Sequence, residues 1–170
     1  MAGFSERFKR QWRHWRSTAA RGRQLFPAET LARIGAAITA GEQRHRGELR
    51  LIVENALPSD AIWSDVGNRQ RAIALFAEYG VWDTEDNCGV LIYVNLADHK
   101  VDIVVDRNIG RKIDAATWQQ VCRTMTDGFK RGDFDGSTLA AVEQVNTLLV
   151  THFPSTGARA NELPDQPIVL

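Results

Sequence analysis

Cys88-Gly89-Val90-Leu91-Ile92-Tyr93-Val94-Asn95-Leu96-Ala97-Asp98-His99-Lys100-Val101-Asp102-Ile103-Val104-Val105 is the stretch whose reading decides the fold. From Cys88 to Leu96 it is almost continuously apolar, the pattern of a strand covered on both faces. Ala97–Lys100 is short and polar, and Val101–Val105 is apolar again. So short a link joins antiparallel neighbours, because a parallel return needs a crossover of about a dozen residues.

Upstream, Gly47–Glu54 (GELRLIVE) alternates. Leu49, Leu51 and Val53 face one way, and Glu48, Arg50, Ile52 and Glu54 the other. Pro58 breaks this strand, and Ser59 suits the N-cap of a helix running to about Tyr79. Ile73, Phe76 and Tyr79 form the clearest stripe of that helix, Ile62 and Trp63 lie near its start, and Gly80 ends it. A strand that reaches the next through a helix pairs with it in parallel, by a right-handed crossover. Ahead of it, Pro27 opens a helix with Leu31, Ile34 and Ile38 inward. Downstream, Asp106–Gly110 reads as a polar loop and Asp114 as the cap of a helix over 115–130. That helix buries Trp118, Val121, Cys122, Met125 and Phe129. A Gly132–Gly136 turn leads to a last helix with Leu139, Val142, Val145 and Leu149 inward. The reading is one α/β domain over 27–153, an arm over 1–26 and a flexible polar tail over 154–170.

A chain of 170 residues, 44% hydrophobic and 25% charged, can bury a full core without disulfide or metal staples. Cys88 and Cys122 are expected as reduced thiols, and no zinc-finger spacing occurs. No run approaches ~18 consecutive apolar residues and no h-region follows the basic start, so the cytoplasm is the expected compartment.

The net charge of zero hides an asymmetry. Seven basic side chains against Glu6 give residues 1–26 a charge of +6, and 14 basic against 20 acidic give the rest −6. Phe4, Phe8, Trp12 and Trp15 recur at helical spacing, one aromatic face on a basic helix. Packing on the domain, a peripheral membrane surface, and self-association or a protein partner all suit such a face. Nucleic acid does not, since the acidic body repels phosphate.

Strand direction alone predicts a polar rim. The loop 82–87 enters the central strand, 106–110 leaves its antiparallel neighbour, and the first strand begins at the same end. Asp83, Asp86, Asn87, Asp106, Arg107, Glu48 and His45 should therefore crowd together there.

The stretches Arg71–Asp83 (RAIALFAEYGVWD), Asn87–Gly110 (NCGVLIYVNLADHKVDIVVDRNIG) and the surroundings of Phe129–Gly136 (FKRGDFDG) resemble the TPM-domain family, over about 27–153. The resemblance implies a Rossmann-like three-layer α/β/α sandwich with a small mixed sheet. It also implies a divalent-cation site, usually calcium, at one sheet end, an acid phosphatase activity in some members, and assembly or repair roles in others. Family members are commonly exported or membrane-attached, and neither signal is expected here. The glycine-rich segment after the return strand is here Asp106-Arg107-Asn108-Ile109-Gly110, and His45-Arg46-Gly47-Glu48 stands where Thr-Gly usually precedes the first strand. These three departures suggest a cytoplasmic bacterial branch.

Hard cations take six to eight oxygens. Asp83, Glu85, Asp86, Asn87, Glu48 and Asp106 supply candidates for calcium or magnesium. The alternative is a solvated acidic loop, and the spacing is not an EF-hand. No organic cofactor is implied. A hydrolase built here would use Asp83 or Asp86 with a metal, Arg107 or Arg111 on phosphate, and His45 as acid or base. No known nucleophile motif is present, so no catalytic residue is assigned. The first reading is a calcium-binding interaction or assembly module. A metal-dependent phosphatase-like hydrolase and a peripheral membrane factor are the alternatives.

Overall fold

The structure is a computed structural model in which residues 9, 12, 19–58, 61–62, 64 and 66–170 are described. The proposed roles of Phe4, Phe8 and Trp15, the Ser59 cap and Trp63 lie outside the described residues. Trp12 is 49% exposed.

Helices α1 (Ala19–Leu25) and α2 (Ala28–Glu42) lead into strand β1 (Glu48–Glu54). Helix α3 (Asn68–Glu78) crosses to β2 (Gly89–Asn95), and β3 (Lys100–Val105) returns beside it. A short helix α4 (Arg107–Gly110) precedes α5 (Ala115–Lys130), α6 (Phe134–His152) and a two-residue β4 (Ile168–Val169). The sheet order is β3-β2-β1-β4. Strand β1 pairs in parallel with β2 and β4, and β2 pairs antiparallel with β3, Val90 opposite Val105. The parallel crossover and the hairpin follow the sequence reading.

Each sheet face has its own core. Leu49, Leu51 and Val53 of β1 join Val90, Ile92 and Val94 of β2 against α2, α5 and α6. Ile52, Leu91, Tyr93 and Val104 face Ala72 and Leu75 of α3 together with Leu163. These are the three layers expected. Described helices include none long and apolar enough to cross a membrane. Cys88 and Cys122 are free thiols.

Three expectations need correction. The segment 154–170 is not a loose tail but a strap. It runs across the mixed face of β1, pairs Ile168 with Ile52, and buries Leu163. The strap is needed because β1 turns charged side chains onto that face. Arg50 donates to the carbonyls of Pro164 and Gln166, and Leu163 N–H donates to Glu48. Second, 107–110 is a helical turn capped by Asp106, whose Oδ1 accepts Arg107 N–H at 2.7 Å. Third, α3 begins at Asn68 and packs through Ala72 and Leu75, leaving Ile73 50% exposed. Phe76 and Tyr79 still face the core, at the helical spacing from Ala72 that Ile73 misses.

Asp114 caps α5 as read, and Asp133 caps α6.

Candidate functional site

The rim forms as strand direction requires. Glu48 N–H donates to Cys88 O at 3.1 Å, and Asp106 N–H donates to Gly89 O at 2.9 Å. The starts of β1 and β2 and the end of β3 therefore lie side by side. Asn108 reaches back to Asp86 O at 2.9 Å. Asp83, Asn87, Arg107 and Arg111 are exposed, and their side chains make no ion pair among the described residues. Asn87 adopts a left-handed φ of 51°, which asparagine tolerates in a turn.

His45 is not a free acid or base. Its Nε2 lies 3.1 Å from Asn146 Oδ1, and Nδ1 accepts Gly47 N–H at 3.2 Å. Since Nδ1 accepts, Nε2 carries the proton of a neutral ring. Burial holds its pKa below the usual histidine value, against the opposing hydrogen bonds. Cys88 is no thiolate either. Burial and then the nearby Asp86 charge push its pKa up.

Asp86 is clamped by two cations. Arg159 of the strap donates to its Oδ2, and Arg46 stands 3.5 Å from the same oxygen. Arg159 also reaches Glu162 at 3.2 Å and Glu85 at 3.6 Å. Beside this cluster opens a cleft of about 570 Å³, walled by α2 (Thr39, Glu42), by His45–Glu48, and by the strap from Ser155 to Asp165.

Glu42 is the perturbed group of that cleft. It accepts Leu49 N–H at 2.8 Å and is pushed up to about 9, first by burial and then by the neighbouring Glu48 and Asp165 charges. Burial also raises Glu48. The folded chain therefore keeps a proton on Glu42 that the unfolded chain releases above about pH 4.5. The contribution of Glu42 to stability should fall as pH rises from there towards 9, because over that range this group binds its proton in the folded state only. Glu42→Gln keeps an acceptor for Leu49 and has no proton to release. Its stability should match the wild type near pH 5 and exceed it at pH 8 by on the order of 4 kcal/mol, at about 1.4 kcal/mol per pH unit, read as a higher melting temperature. A wild-type advantage that grows with pH would contradict this.

Sequence reasoning missed Arg46, Arg159, Glu42 and Asp165. Glu42 was visible as the next position after Ile34 and Ile38 on the buried stripe of α2. The strap was signalled only by Leu163 and the terminal Ile168-Val169-Leu170.

The residues do not fit the divalent cation that the resemblance implies. One atom favours an ion: Asp106 Oδ2 is buried without a partner. Asp83 and Asn87 stay exposed with no ion pair among the described residues, while the other members are engaged elsewhere. Asp86 is held by guanidinium groups, Glu48 by Leu163 N–H, and Asn108 offers a donor nitrogen rather than an oxygen. No three His, Cys, Asp or Glu side chains converge as a metal site among the described residues.

A mixed four-stranded sheet between two helical layers, with a polar rim where β1 and β2 begin, defines an α/β sandwich of the TPM type. The chain belongs to the TPM-domain family, whose family model matches residues 21–148. Among solved structures it is similar to the NMR structure of BA42 from the psychrophilic bacterium Bizionia argentinensis. That likeness has a TM-score of 0.73 and 25% identity, covering 84% of this chain and 93% of BA42. No curated protein matches the chain.

Proposed function

We propose that this chain is a binding and assembly module of the TPM type, holding a partner polypeptide in the cleft between α2 and the strap. The observation that carries this reading is the make-up of the cleft. One wall is strap backbone outside any regular element, suited to main-chain hydrogen bonding with a second chain. The opposite wall is rigid helix and strand. The groups a hydrolase would use there are already engaged: His45 through both ring nitrogens, Asp86 and its two arginines with one another.

Site-specific photo-crosslinking in cells that express the full chain tests the reading. A crosslinker at Gln43, which is exposed and lines the cleft, should give a discrete protein adduct, and one at the exposed Lys130 should not. Equal or absent adducts at both positions would count against it.

One observation favours a hydrolase instead. Arg107 and Arg111 are exposed and free of ion pairs among the described residues, which suits a phosphate. The purified chain should nevertheless show no phosphomonoesterase turnover with calcium, magnesium or manganese. Turnover abolished by Asp83→Ala would replace the module with the enzyme.

A further inference from the structure

The disagreement between the acidic rim and the cation expected there has a structural explanation in the strap. Asp86 and Glu85 belong to the loop that enters β2, and Glu162 belongs to the strap. Glu162 Oε2 accepts Glu85 N–H at 2.8 Å, tying the two segments directly. Arg159 then reaches all three carboxylates, and Arg46 adds a second guanidinium on Asp86. Three negative charges thus meet two positive ones, all supplied by the chain itself.

We infer that Arg159 is a built-in cation. Its guanidinium takes over the charge neutralisation that a divalent ion would provide, and it locks the strap to the loop 84–87. The physical case is competition. A tethered guanidinium is present at the high effective concentration of an intramolecular ligand. Its planar fork bonds several carboxylate oxygens at once, and it is more weakly hydrated than an ammonium. A calcium ion would have to displace it and then find further oxygens around a carboxylate that still faces Arg46. The inference does not depend on what the cleft holds.

Two measurements on the full chain test it, melting temperature and amide hydrogen exchange. The wild type should respond to neither removal of calcium by chelator nor its addition up to about 1 mM, the weak end of protein calcium sites. Arg159→Gln should speed exchange at the Glu85 amide by roughly threefold or more, because Glu162 loses the group that holds it in place. Arg159→Lys should fall between, having charge without the fork. Unchanged protection in α6 in both variants would show that the core remains folded. The inference is overturned by calcium stabilisation of the wild type that disappears in Asp86→Asn. It is equally overturned if Arg159→Gln leaves the Glu85 amide exchanging at the wild-type rate.

Discussion

Gly89→Ala is expected to lower the melting temperature by roughly 6–12 °C, the equivalent of about 3 kcal/mol for a chain of this size. A Cβ on Gly89 would lie 1.8 Å from the carbonyl oxygen of Val81 and 2.9 Å from its carbonyl carbon. Those atoms are backbone, so no side chain can swing aside. Val81 is fully buried, and its N–H is held by Phe76 O at 3.0 Å. Gly89 cannot retreat either. It opens the central strand β2, opposite Glu48 of β1, and its carbonyl accepts Asp106 N–H from beyond β3. Gly67→Ala is the matched control. Its Cβ would meet nothing within 4 Å, so the change should stay within about 0.5 kcal/mol. Equal melting temperatures for the two variants would show that the approach of Val81 to the strand does not require glycine. The same substitution should disturb the rim, since Gly89 stands between Glu48 and Asp106.

Glu54→Ala is expected to cost about 3–5 kcal/mol, the range for removing one partner of a buried ion pair. The Glu54 side chain is 3% exposed and bonds Arg71 Nη2 at 2.6 Å and the Tyr93 hydroxyl at 2.5 Å. Truncation leaves a guanidinium that is only 19% exposed, and a fully buried phenol, both without their acceptor. Glu54→Gln should cost less, because it keeps an acceptor for Tyr93. In the double variant with Arg71→Ala the losses should fall short of additivity, since the two side chains serve the same contact. Urea unfolding reads these effects as a lower midpoint at an unchanged m-value. A Glu54→Ala midpoint within error of the wild type would mean that solvent reaches this pair and that the α3 side of the sheet is not sealed.

Both predictions fall on residues quoted in the sequence reading, yet neither role was legible there. GELRLIVE showed that Glu54 shares a face with Ile52. It could not show that the face is closed by α3 and the strap, which turns a surface carboxylate into a buried one. NCGV showed a strand beginning at Gly89. Only the fold brings Val81, which precedes it by a polar loop, back against that glycine. The meeting of the β1 and β2 starts with the β3 end followed from strand direction, because chain ends of adjacent strands must coincide whatever the side chains do. The chemistry of that rim did not, because hydrogen-bond partners such as Asn146 for His45 and Leu163 for Glu48 lie about a hundred residues away along the chain.

The sequence by itself determined the order of elements, the pairing sense of β1, β2 and β3, and the end of the sheet where polar loops gather. Those properties follow from local periodicity and connection length. Only the tertiary structure decided that the last residues form a strap, that Arg159 lies on Asp86, and that Glu42 holds a proton in a cleft. Each depends on which distant groups share a small volume shielded from water. There, burial and neighbouring charge outweigh the intrinsic preferences that a sequence displays.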